Sequence, residues 1–202
     1  MGGIVTAPDP RHANPVRPVP PPGGHTVDDL DRLPNLPPHT ELIDGSLVFL
    51  SPRRDFHSLA VDLIAAGLRQ TAPEGLRVKR EMTVVLTEQT APEPDVIVVR
   101  ADAVHNRRQT RYQAKDVLLA VEVVSPESAE RDRETKPLKY ARAGIPHFWR
   151  VEMAGPDDHP VVYTFERDPR TAWYSPTGVY QGWLKADEPY RIDLDLTEID
   201  RM

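Results

Sequence analysis

Two carboxylates stand where the surrounding sequence makes them costly. Asp95 follows Pro92-Glu93-Pro94 and immediately precedes Val96-Ile97-Val98-Val99, at the mouth of an apolar strand. Glu122 interrupts Val117-Leu118-Leu119-Ala120-Val121 and Val123-Val124, a continuous run suited to a strand buried on both faces. An uncompensated buried carboxylate costs several kcal/mol. The economical compensation is a divalent cation shared by both acids. Mg2+ suits such a pair, because it is a hard ion that takes oxygen ligands and keeps several waters; Mn2+ is the expected substitute. An ion there polarises a phosphoryl oxygen and lowers the pKa of a bound water. Those are the needs of phosphodiester hydrolysis. The remaining need, a fixed positive group beside the nucleophile, is met by Lys136 on the next predicted helix. Each residue also has an ordinary structural explanation: Asp95 as a turn residue, Glu122 as the outward face of an edge strand, and Lys136 as a solvated helix position.

The composition sets bounds on this chemistry. The chain has 202 residues, 39% hydrophobic and 28% charged, enough for one ordinary core. Cysteine is absent, so any metal must be held by carboxylate, carbonyl or imidazole groups. No apolar stretch approaches the roughly 20 residues that cross a bilayer, and the N-terminus lacks the apolar segment of a secretion signal. The expected location is therefore the cytoplasm, with no membrane contact. The formal charge of −6 runs against a protein that grips a polyanion through global charge. Basic residues are nevertheless concentrated locally, at Arg77, Lys79 and Arg80, at Arg107, Arg108 and Arg111, and at Arg131, Arg133, Lys136, Lys139 and Arg142. Solvated faces are the competing explanation for each cluster.

The elements that must position these residues follow from periodicity. Residues 1–24 carry seven prolines and few large apolar groups, and predict a disordered tail ahead of one domain over 25–202. Thr26 and Asp29 form a plausible capping box for a short helix carrying Val27, Leu30 and Leu33. Asp44-Gly45, flanked by apolar residues, predicts a tight hairpin. Phe56, Leu59, Ala60, Leu63, Ile64 and Leu68 recur at helical spacing, with His57 off the apolar face. Strands are expected over 76–86, 96–99 and 117–124. A second helix is expected between Ala129 and Ala143, ended by Gly144, followed by a strand through Phe148, Trp149 and Val151. Short strands of a mixed sheet complete the chain over 161–165, 179–183 and 190–194. The order is that of an α+β or mixed α/β fold with a sheet core.

Several of these segments, taken in order, resemble a known family. Glu41-Leu42-Ile43-Asp44-Gly45, Pro94-Asp95, Val121-Glu122-Val123-Val124-Ser125-Pro126, then Asp132, Lys136 and Tyr140 at steps of four, then Gly144-Ile145-Pro146-His147-Phe148-Trp149 together resemble the Uma-type restriction endonuclease family of the PD-(D/E)XK nuclease superfamily. The resemblance runs from about Thr26 to Glu152 and more weakly beyond. It implies a restriction-endonuclease-like mixed sheet flanked by helices, with Asp95 and Glu122 as metal ligands on adjacent strands. It also implies a further ligand from the Val123 backbone carbonyl and an acid, Glu41, assisting the metal or its water. In the superfamily's pattern a Lys lies two residues after the Glu; here that position is Val124, and Lys136 matches a relocated amine.

Pro137, directly after Lys136, leaves the local geometry open. Were the helix to begin near Lys136, Pro137 would sit harmlessly in its first turn, but Asp132 and Lys136 would not share a face. The resulting expectation is a Mg2+-dependent endonuclease acting on DNA, with a two-fold homodimer favoured for double-strand cleavage by one site per chain. Its rivals are a nuclease fold kept as a nucleic-acid- or protein-binding module without turnover, and an enzyme acting on another phosphodiester.

Overall fold

The computed structural model describes residues 18–154 and 156–202; most of the expected tail lies outside the described residues. Thr26 and Asp29 form the predicted capping box, with the Asp29 carboxylate accepting from the Thr26 backbone N–H at 2.8 Å, and start α1 (Val27–Arg32). The hairpin β1 (Thr40–Ile43) and β2 (Ser46–Phe49) turns at Asp44 and Gly45. Both residues have positive φ, 49° and 74°, as a two-residue turn matched to strand twist requires. Gly45 also needs its missing Cβ, since a Cβ there would lie 3.1 Å from the Gly24 Cα.

The amphipathic segment becomes α2 (Asp55–Thr71), followed by β3 (Leu76–Arg80), β4 (Thr83–Val85), β5 (Val96–Arg100), β6 (Arg111–Gln113) and β7 (Val117–Val123). After the crossover helix α3 (Lys136–Arg142) come β8 (His147–Met153), β9 (Pro160–Asp168), β10 (Trp173–Gln181), β11 (Trp183–Ala186) and β12 (Ile192–Asp195). Six strands form the central sheet in the order β10-β9-β8-β7-β5-β3. Only β7 and β8 pair in parallel in that sheet, and a parallel pair needs a crossover such as the one α3 provides. This is the expected mixed α/β sheet with helices on its faces.

The two apolar runs at its centre are interior strands, as predicted: Val96 to Val99 and Leu119 to Val121 are buried. Alternation along β5 and β7 sends Val96, Val98, Leu119 and Val121 toward α2, while Ile97, Val99 and Ala120 join Tyr140, Ile145 and Phe148 on the α3 side. Glu122, two residues after Ala120, falls on the α3 face by the same alternation.

The late part of the chain departs from the sequence expectation. β9 and β10 are a nine-residue hairpin each way, longer than the apolar positions announce. Pro176 lies within β10, where a register shift between Pro176 and Gly178 absorbs it; proline is tolerated on such an edge strand because its missing N–H faces no partner. β11 and β12 do not extend the mixed sheet but form a separate two-stranded ribbon. Their Leu184, Ile192 and Leu194 cap the core beneath α2. The expected 76–86 strand is divided into β3 and β4, and β4 pairs in parallel with β6, which carries no sequence signal of its own. Among the described residues, no helix is long and apolar enough to cross a membrane.

The contact between α2 and β12 is close enough to test. A Cβ on Gly67 would lie 2.7 Å from Leu194 Cδ1, so the branched side chain of Gly67→Val has no room. Overpacking of this kind costs about 1–3 kcal/mol. We expect Gly67→Val to lower the urea midpoint with an unchanged m-value, and Leu194→Ala to relieve much of that loss in the double variant.

Candidate active site

Antiparallel pairing of β5 with β7 opposes Val96 to Val121, and the next step of that register opposes Asp95 to Glu122. Both side chains are buried, Glu122 to 1% exposure. Asp95 Oδ2 accepts the Val123 backbone N–H at 2.7 Å, which ties the strand mouth of β5 to the end of β7. Asp95 Oδ1 lies 3.0 Å from His57 Nε2 in the first turn of α2 and 3.6 Å from the Arg53 guanidinium. The His57 contact is close but out of line for a hydrogen bond, and neither ring nitrogen has another hydrogen-bond partner.

The helix that supplies Lys136 does not begin there. Helical backbone starts at residue 129, passes through a π-helical segment, Arg131–Thr135, and continues into α3 without a break. The Lys136 N–H donates to Arg131 O, five residues back. The wide turn precedes Pro137, the residue that cannot donate to the helical ladder, and π-bulges of this kind recur at functional sites. Asp132 and Lys136 consequently share a face, with Asp132 Oδ1 3.2 Å from Lys136 Nζ. The ammonium also meets Glu41 Oε1 at 2.8 Å and Glu122 Oε2 at 3.0 Å.

Glu41 reaches the cluster because the hairpin docks on the segment leading to Asp95. Leu42 and Ala91 exchange both backbone hydrogen bonds, at 3.1 and 2.7 Å. Glu41 Oε1 additionally accepts the Glu93 N–H at 2.9 Å, whereas Glu41 Oε2 is buried with no hydrogen-bond donor. Tyr140, one turn beyond Lys136, donates its hydroxyl to Glu122 Oε1 at 2.5 Å. Both Glu122 oxygens are thus held from α3.

Charge follows from this packing. Burial pushes Glu122 well above the usual carboxylate range; Lys136 opposes that shift, and Asp132, Asp95 and Glu41 add to it. Burial alone would lower Lys136, but the charges of Glu122, Glu41, Asp132 and Asp95 hold it well above the ordinary amine range. Lys136 therefore stays protonated. Burial also raises Asp132. For Asp95, burial acts upward, yet His57, Lys136 and the Val123 N–H outweigh it and hold the group below its ordinary value. The two central acids are pushed in opposite directions, a pattern typical of functional carboxylate pairs.

The structure thus brings Asp95, Glu122, Lys136 and Glu41 together, and Val123 into the same cavity through its backbone. Three participants were underestimated from sequence. His57 is buried rather than off the packed face of α2. Tyr140 is a core aromatic whose polar edge is spent on Glu122. Asp132 is visible only through its four-residue step to Lys136, a step the π turn preserves.

The donor set accords with a hard cation. Glu41, Glu122 and Asp132 surround a single ammonium, with Asp95 on the neighbouring strand beside His57 and Arg53, and Glu41 Oε2 has no donor. No three His, Asp or Glu side chains among the described residues form a ready-made metal cage. Two carboxylates with the rest left to a backbone oxygen and water is, however, the Mg2+ pattern. The adjoining cavity of about 40 Å3 has room for a few water molecules.

The arrangement, a mixed sheet with a carboxylate pair on neighbouring strands and a lysine from the crossover helix, defines a restriction-endonuclease-like α/β protein. Residues 27–189 match the Uma2 family, described as "Putative restriction endonuclease", and the chain belongs to that family. A crystal structure of a "putative nuclease belonging to DUF820" from Anabaena variabilis ATCC 29413 superposes with a TM-score of 0.64 at 16% identity, covering 86% of this chain and 96% of that one. At that identity the likeness establishes the fold. NucC of P. aeruginosa ATCC27853 in its cAAA-bound form gives a TM-score of 0.37 at 13% identity, over 58% of this chain and 70% of that one, too low a likeness to carry inference. No curated protein matches the chain.

Removing the ammonium should expose the cost of the acids. Lys136→Met leaves Glu41, Glu122 and Asp132 without their cation, and we expect a loss of about 3–5 kcal/mol in urea denaturation with EDTA present. The raised folded-state values of Glu122 and Asp132 set the sign of the pH dependence. Groups raised in the folded state stabilise it when protonated, and that contribution is lost as pH rises through the folded value. The defect should therefore be smaller in mildly acidic buffer than in mildly alkaline buffer.

Proposed function

We propose that this protein is a Mg2+-dependent endonuclease that hydrolyses phosphodiester bonds in DNA. The observation that carries the reading is the meeting of Asp95 and Glu122, from opposed positions of β5 and β7, with Lys136 along one cavity. Membership of the Uma2 family supports it. Asp95, Glu122 and the Val123 carbonyl would hold the ion, with Glu41 behind them; Mn2+ would serve in place of Mg2+. When bound, such an ion polarises a phosphoryl oxygen and brings a water's pKa toward neutrality.

The protein's own groups have separate tasks. Tyr140 fixes one oxygen of Glu122 and Lys136 the other, so the carboxylate is oriented before any substrate arrives. The Val123 N–H and His57 do the same for Asp95. Lys136, protonated and fixed, steadies negative charge that develops on the phosphoryl oxygens. Glu41 anchors Lys136 from the hairpin side. Cutting both strands with one site per chain calls for a two-fold pair of subunits.

Purified wild-type protein should nick supercoiled plasmid with Mg2+ or Mn2+ and not with EDTA. Asp95→Asn and Glu122→Gln, near-isosteric changes that spare the fold, should each lower nicking by roughly a hundredfold or more, and calorimetry should show their affinity for Mn2+ reduced. Full activity in Glu122→Gln would remove the basis for the assignment. Tight metal binding by a wild type that cuts neither plasmid nor small phosphodiesters would point instead to a binding module.

A further inference from the structure

The same cavity carries polar groups besides the acids. Ser125, Ser128 and Arg131 line it alongside Asp95, Glu122 and Asp132. They come from the turn after β7 and the start of the π-helical segment. That stretch is internally braced: the Ser125 N–H donates to Ser128 Oγ at 3.1 Å, and Ser128 O accepts the Asp132 N–H at 2.9 Å.

Arg131 is the anomaly. Its Nε is enclosed with no hydrogen-bond partner, as are those of Arg80 and Arg150, but Arg80 pairs with Asp62 and Arg150 with Glu152, whereas Arg131 makes no ion pair with any described carboxylate. A buried donor left unpaired costs about 1–3 kcal/mol, and more when charged, so an instance in a native fold calls for an explanation. The other cations at the cavity are committed. Lys136 serves Glu41, Glu122 and Asp132; Arg53 is paired with Glu81 and stands 3.6 Å from Asp95.

The carboxylates that line the cavity, Glu93, Asp95, Glu122, Glu127 and Asp132, outnumber its cations Arg53, Arg131 and Lys136, so an anionic ligand needs a cation that is not already paired. We infer that Arg131 is the phosphate-binding residue of this site, taking a non-bridging oxygen of the nucleic-acid backbone beside the reacting group. Guanidinium suits that task, because its planar fork of donors matches phosphate and is never deprotonated. The inference takes its substrate class from the nuclease reading, but the binding step it describes does not require turnover.

Binding of a fluorescein-labelled DNA duplex, with Ca2+ in place of Mg2+, is measured by anisotropy across a series of NaCl concentrations. Arg131→Gln should weaken binding about tenfold and reduce the salt slope by about one released counterion. Arg131→Lys should keep the slope while losing part of the affinity, since an ammonium keeps the charge without the fork. A role confined to folding would move the melting temperature and leave the slope alone. Wild-type binding too weak to measure, or both variants binding as the wild type does with its slope, overturns the inference. Plasmid nicking separates the two readings: a slope change in Arg131→Gln without nicking by the wild type keeps the phosphate site and removes the nuclease, and nicking with an unchanged slope does the reverse.

Discussion

Lys136 Nζ, 3% of whose residue is exposed, stands within 3.2 Å of carboxylates from β1, β7 and the π-helical segment that runs into α3. The hairpin must dock on the Ala91 segment to deliver Glu41, the central strands must pair in register to set Glu122 beside Asp95, and the helix must pass its proline without turning Asp132 away. A buried ammonium without those acids, or the acids without it, would cost several kcal/mol. The cluster therefore demands that all three arrangements form together.

The same cluster is a poor way to stabilise a protein. Well-packed apolar side chains of similar volume are often as good as a buried ion network or better, and here the acids outnumber the cations that meet them. Glu122 is pushed up by burial and by its neighbours while Asp95 is held down by His57, Lys136 and the Val123 N–H. Local choices that break the rules of a stable core without a compensating structural gain mark functional sites. The π-helical turn at Arg131–Thr135 belongs to the same class of feature. It keeps Asp132 and Lys136 on one face and places Arg131 at the cavity.

This concentration of charge also contributes to the net −6 of the chain, which by itself runs against polyanion binding. Part of the excess acid is enclosed and directed at one small cavity rather than spread over a surface that DNA would meet. Several basic residues of the third cluster are likewise spoken for: Lys139 by Asp44, Arg133 by Glu152 and Lys136 by the core acids. For a site of this kind the relevant quantity is which charges remain free beside it, not the total.

The hairpin at Asp44-Gly45, the capping box at Thr26, helix α2 and the interior strands β5 and β7 were legible from sequence, because each rests on local physics: turn geometry, end capping and the periodicity of apolar residues. Asp95 and Glu122 were legible for the same reason, as acids breaking an apolar pattern. The course of β10 through Pro176 and the detachment of β11 and β12 were not, since sheet pairing is decided by partners distant in the chain. Nor were the π turn that reconciles Pro137 with Asp132 and Lys136, the bond from Tyr140 to Glu122, the approach of His57 to Asp95, or the unpaired Arg131. Composition and spacing alone determined that this protein would bury a pair of acids in a sheet. Only the tertiary structure decided which cation, hydroxyl and imidazole meet them, because a side chain's partner depends on where the backbone carries it through space and not on its place in the chain.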